Sequence, residues 1–219
     1  MAVDVRSARA HAYENARPEV AALVPAGARR ILDLGCSSGA LGAAIKARQQ
    51  AAVVGVEIDP EYAKDAASKL DQVLCSALED IDTAALGHFD CLVAADVLEH
   101  LVDPWAQLAR FAELLEPGGL AVISLPNVRH WETFWQLGRR GTWPTRSQGI
   151  FDRTHLRWFT LFDAHGLLDA AGLDVKQVVR VIRLRPGAPS GAAVQKLGRI
   201  PGLRPFVTFQ HVLAARRRP

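Results

Sequence analysis

One junction constrains this chain more than any other. The apolar run Arg30-Ile-Leu-Asp-Leu34 passes through Gly35-Cys36-Ser37-Ser38-Gly39 into a helix-period segment, Ala40 to Arg48. A strand that turns through two glycines straight into a helix is half of a parallel β-α-β unit. The pattern then repeats. Ala52 to Glu57 reads as a second strand, followed by Asp59-Pro60, a helix cap with proline in the first helical position. Gln72 to Cys75 is a short third strand, and Phe89 to Ala95 a fourth. Asp103-Pro104 opens a helix expected to run to about Leu115 and to stop at Pro117-Gly118-Gly119, ahead of a fifth strand, Leu120 to Leu125.

The rhythm breaks after the fifth strand. Residues 127–158 carry Trp131, Trp135, Trp143 and Trp158 and read as an inserted cap, with a short helix from Val128 to Leu137. Thr160-Leu-Phe-Asp163 is a capping-box start for a helix to Ala171, closed by Gly172. Two more strands are expected at Asp174 to Leu184 and Pro205 to Ala214, with a short helix near Ala192 to Leu197 between them. The whole, 1–219, reads as one domain with an N-terminal helical segment over 1–27. Acid residues end at Asp174, whereas 176–219 hold ten Lys/Arg, a basic C-terminal edge that could meet an anionic surface. Aromatic residues are not interleaved with that segment, so nucleic acid is not an expected partner. Cys36, Cys75 and Cys91 form no CxxC pair, which argues against structural zinc and for a reducing compartment. The opening residues hold no apolar h-region and no run is long enough to span a bilayer, so a cytoplasmic protein is expected.

The glycine turn is not the dinucleotide fingerprint, because its glycines stand four apart with Ser37 between them. The acid that follows at the end of the second strand, Glu57, suits the two hydroxyls of a ribose. DLGCSSG, VEID, FDCLVAADVLEHL and LLEPGGLAVISLPN, in this order, resemble the class I S-adenosylmethionine-dependent methyltransferases from about Arg30 to Asp174. The segment PNVRHW…GIFDRTHLRWFT resembles a subgroup linked to sugar and polysaccharide modification, and PN..HW is similar to the methionine-biosynthesis W-type proteins. The resemblance implies an α/β fold, a doubly wound, mostly parallel, seven-stranded Rossmann-like sheet with the aromatic-rich insert after the fifth strand. It implies S-adenosyl-L-methionine as cofactor, its methionyl end near Asp33, Gly35, Cys36, Gly39 and Asp96, its ribose on Glu57 and its adenine between Ile58 and the turn at Leu78. Many relatives carry glycine where Cys36 stands.

On the acceptor side, Asp96 ends the fourth strand at the carboxyl edge, where open α/β sheets bind ligands. The densest polar cluster is Asp152-Arg153-Thr154-His155-Leu156-Arg157. His155 is the expected base, oriented by Asp152 and assisted by Asp96; Arg157 and His100 are the expected acceptor contacts. Related quinone-pathway methyltransferases place metal-binding carboxylates and a histidine in an E-x-x-E-H stretch. A divalent ion on Asp96, Glu99 and His100 is therefore an alternative, while no metal is assigned. The expected reaction is methyl transfer to a hydroxyl oxygen of a small molecule, sugar or glycoconjugate. The rival is a regulatory protein on the same fold that partners an acyltransferase. The tryptophans read as hydrophobic cover or as a stacking platform for a sugar ring.

Overall fold

A computed structural model describes residues 16–184 and 192–219; the expected helical segment over 1–27 therefore lies largely outside the described residues. The strands are β1 Arg30–Leu34, β2 Ala52–Glu57, β3 Gln72–Cys75, β4 Phe89–Ala95, β5 Leu115–Pro126, β6 Leu173–Ile182 and β7 Thr208–Arg217. They form one seven-stranded sheet in the order β3-β2-β1-β4-β5-β7-β6. The five strands from β3 to β5 run parallel, and β7 is antiparallel to both β5 and β6. Strand order reverses at β1 and β4, so the crevice for a ligand opens where these two strands end.

Alternate residues of each strand feed opposite faces. Ile31, Val53 and Val93 pack with Ile45 and Ala66 under helices α2 (Ala40–Arg48) and α3 (Pro60–Ala67), joined by Val20 of the short α1 (Pro18–Ala21). Leu32, Val54 and Leu92 pack on the other side with Leu108 and Phe111 of α4 (Pro104–Ala112). Leu167 and Leu168 of α6 (Leu161–Ala170) complete that layer. Asp59 caps α3 by accepting from the amides of Glu61 and Tyr62, and Thr160 and Asp163 form the capping box of α6.

Three local expectations are corrected. α4 ends at Ala112, and Pro117-Gly118-Gly119 does not stop a helix but lies inside β5. Leu115 pairs with Phe89, and the register then shifts before Cys91 pairs with Leu120. At Gly119 a Cβ would meet the Glu116 carbonyl oxygen at 2.9 Å, so only glycine fits this irregularity. The insert's helix begins at Trp131 rather than Val128: α5 (Trp131–Thr133) is capped by His130 and continues as π turns over Phe134–Arg139. Finally, the C-terminal strand is preceded by a helical turn, α8 (Arg204–Val207), and lies inside the sheet between β5 and β6. The short α7 (Ala192–Leu197) stands where it was expected.

That last placement changes the reading of the basic tail. Arg217 donates to the carbonyls of Glu113 and Leu115, while Arg218 pairs with Asp169 and Asp174. β7 enters the sheet beside the ligand crevice and leaves at the opposite edge, so these arginines fasten the far side of the sheet. Among the described residues, no helix is long and apolar enough to cross a membrane.

Candidate active site

A cavity of about 540 Å³ opens along the carboxyl edge of the parallel strands. Gly35, at φ +64°, turns the chain out of β1 because a side chain there would strike Val97. Glu57, at the end of β2, accepts from the amides of Ser37 (2.8 Å) and Asp59 (2.9 Å), which fixes its carboxylate on the cavity wall. Cys36 lines the cavity, yet its sulfur fills the space beside Gly55, where an added Cβ would lie 2.5 Å away. The cysteine in place of a glycine is thus housed by a second glycine on the neighbouring strand. Burial pushes its thiol well above the ordinary range, so it is inert.

Asp33 is buried, and its Oδ2 has no hydrogen-bond partner among the described residues. Burial, with the nearby Glu57 carboxylate, pushes its carboxyl up to about 7. A buried unpartnered carboxylate on a cavity wall is a receptor for a cation. Ile58 is 69% exposed and lines the same cavity as Ala77 and Leu78, an apolar stretch of its wall. Gly39 is not among the residues that line the cavity: at φ +74° it precedes α2, where an added Cβ would meet Ala66 of α3 at 3.0 Å.

Asp96 sits at φ +59° beyond β4, and three donors hold its carboxylate. These are the Arg17 guanidinium, Ser124 Oγ at 3.3 Å and the Gln210 side-chain amide. A carboxylate so clamped orients its neighbours; its hydrogen bonds run to Arg17, Ser124 and Gln210 and not to His155. Arg17, Ser124 and Gln210 come from three distant stretches with no motif to mark them, so the sequence did not reveal them.

The insert folds back over the next turn. The amides of Leu156 and Arg157 donate to the Glu99 carbonyl, and His100 Nδ1 meets the Thr154 carbonyl at 3.2 Å. This brings Glu99, His100 and His155 together, with one donor atom from each within 4.8 Å of the others. Asp96 is not in that group, so the expected Asp96–Glu99–His100 ion site is not assembled. His155 Nδ1 lies 3.3 Å from the Ile150 carbonyl and Nε2 lies 3.9 Å from Glu99. Burial and the adjacent His100 hold the imidazole below its ordinary value. Burial and Asp96 hold the Glu99 carboxyl well above its own.

Asp152 does not orient the His155 ring; it accepts from the amide and hydroxyl of Thr154. Arg157 points away from the cavity and donates to the carbonyls of Leu156 and Val102. No tryptophan lines the cavity. Trp143 stands edge-on to Phe151 and Trp158, and these rings fix the insert from outside. The cover reading is the one the geometry takes.

A family model described as a methyltransferase domain matches residues 6–178. The chain belongs to this family. The cofactor of such a domain is S-adenosylmethionine, and the cavity holds groups that would suit it: the unpartnered Asp33 carboxyl its ammonium, Glu57 its ribose, and Ile58 with Leu78 its adenine. The ubiquinone biosynthesis O-methyltransferase of Bradyrhizobium diazoefficiens is 38% identical over 116 residues, 49% of this chain and 44% of that protein. Its counterpart in Xanthomonas axonopodis pv. citri is 36% identical over 126 residues, 53% of this chain and 52% of the other. The chain spans about half the length of the curated relatives it matches. A solved magnesium protoporphyrin IX methyltransferase from Synechocystis, with S-adenosylmethionine bound, shares the fold of this methyltransferase domain. It has TM-score 0.60 at 14% identity, covering 99% of this chain and 85% of the other.

Proposed function

We propose that this methyltransferase domain moves the methyl group of S-adenosylmethionine to a hydroxyl oxygen of a small molecule, with His155 as base. The observation that carries the reading is the position of the His155 ring. In the neutral tautomer Nδ1–H donates to the Ile150 carbonyl, which leaves Nε2 unprotonated on a ring that lines the same cavity as Asp33 and Glu57. The bound cofactor supplies an electrophilic methyl carbon on a sulfonium. His155 would take the hydroxyl proton at Nε2 as the acceptor oxygen bonds to that carbon and the carbon–sulfur bond breaks to leave S-adenosylhomocysteine; burial holds the neighbouring Glu99 carboxyl well above its ordinary range. The clamp on Asp96 keeps the floor beneath the reacting atoms fixed.

Relatives named for O-methylation in ubiquinone biosynthesis, and a cavity free of tryptophan, favour a hydroxylated ring over a sugar. Free cysteines suit a cytoplasmic setting. His155→Ala should lower the methyl-transfer rate by roughly 10²–10⁴-fold while leaving S-adenosylhomocysteine affinity unchanged. Wild type should also lose rate on the acid side, at a pH below the ordinary imidazole range, as His155 gains its proton, and the variant should lack that limb. A folded variant within threefold of wild type would remove His155 from the reaction.

A further inference from the structure

Arg183 is the cavity residue that the site so far leaves without work. It follows the end of β6 and lines the cavity with Arg17, Glu19, Phe209 and Gln210. Its backbone is held on both sides: its amide donates to the Val207 carbonyl, and its own carbonyl accepts from His130 Nε2 at 2.8 Å. The root of the side chain is therefore rigid. The guanidinium is half-buried and has no hydrogen-bond or ion-pair partner among the described residues. Glu19 acts on it only through space, because the Glu19 carboxylate is held by Arg17 Nε at 2.8 Å.

Three other carboxylates of the cavity are committed elsewhere. Asp96 is held by its three donors, Asp152 by Thr154 and Glu57 by the turn amides. A guanidinium with five donors and no hydrogen-bonded acceptor among the described residues is matched by a carboxylate or phosphate, which it binds through two parallel N–H···O bonds.

We infer that Arg183 receives an acidic group, a carboxylate or a phosphate, at the end of the acceptor remote from the methylated hydroxyl. This rests on the methyl-transfer reading above and narrows its substrate class. The placement also sets a length. Asp96 follows β4 and Arg183 follows β6, three strand spacings along the same edge, or roughly 14 Å. The cofactor's adenine slot lies the other way, over β2 and β3. The acceptor thus lies across β5 and β7, with its hydroxyl at His155 and its charge at the sheet's end.

The test uses the full chain saturated with S-adenosylhomocysteine, titrated calorimetrically with para-hydroxyphenyl alkanoates of graded chain length, their methyl esters and the matching phosphonates. Wild type should bind the acids at least about tenfold more tightly than the esters at the chain lengths that span the edge. Arg183→Gln should erase that preference without changing S-adenosylhomocysteine affinity, and Arg183→Lys should keep part of it. Tighter binding of phosphonates than carboxylates would name a phosphate ester as the acceptor's acid, and the reverse a carboxylate. Equal binding of acids and esters, no binding of either, or a preference that survives Arg183→Gln would overturn the inference. Failure of S-adenosylhomocysteine itself to bind would overturn the methyl-transfer reading with it.

Discussion

Asp33 offers a test in which stability and cofactor binding move in opposite directions. Its carboxyl titrates near 7 in the folded chain, because burial and Glu57 disfavour the charge, against 3.8 in the unfolded chain. The native state therefore holds a proton that the unfolded state has lost between these values, and stability falls as pH rises through that window. At about 1.4 kcal/mol per pH unit, the loss attributable to Asp33 between pH 5 and pH 8 is about 2.5 kcal/mol. Asp33→Asn keeps the shape and removes the charge. The difference between variant and wild-type unfolding free energies should move in the variant's favour by about that amount from pH 5 to pH 8, any fixed cost of the amide cancelling. The assay is urea denaturation of both proteins across that range without cofactor. In parallel, Asp33→Asn should bind S-adenosylhomocysteine about 10–100-fold more weakly, since a charge-assisted bond to the ammonium is lost. A stability difference flat with pH, or undiminished binding, would refute the assignment of Asp33 as the unpartnered receptor.

The buried His211 should give the opposite slope. Both its ring nitrogens lack hydrogen-bond partners among the described residues and burial, with Arg180 nearby, pulls it down to about 4, so stability is lost as pH falls from 6.5 toward 4. His211→Leu should abolish about 3 kcal/mol of that loss in the same denaturation series. Neutralising Arg217 and Arg218 should lower the melting temperature by a few degrees and leave acceptor affinity independent of salt, because these side chains bind the far edge of the sheet; a salt-dependent acceptor affinity lost in the variant would restore them to a steering role. Gly39→Ala should destabilise the fold by about 1–3 kcal/mol, since φ is +74° and the added carbon would meet Ala66 at 3.0 Å.

Strands β1 to β4 and the caps at Asp59 and Thr160 were legible because apolar alternation and cap chemistry are local signals. Pro117-Gly118-Gly119 misled for the same reason: locally it spells a stop, while the pairing of Leu115 with Phe89 draws it into a strand. The residues expected to hold the cofactor, Asp33, Gly35 and Glu57, were readable because they lie on consecutive units of one sheet edge, and the structure gathers them on one cavity. Its acceptor half is assembled across the fold. Asp96 reads as a free acid until Arg17 and Gln210, 79 and 114 residues away, close on it. Arg157 reads as an anchor until its guanidinium is seen tied to Val102. Long-range side-chain contacts of this kind leave no periodicity in the sequence.

The central claim is that this edge of the sheet transfers a methyl group to oxygen. The direct measurement is mass spectrometry after incubating the full chain with methyl-labelled S-adenosylmethionine and a pool of hydroxylated aromatic acids. The account predicts a product carrying the label on a hydroxyl oxygen, with S-adenosylhomocysteine formed in equal amount. Cofactor binding without label transfer, or label found on nitrogen or carbon, would contradict it.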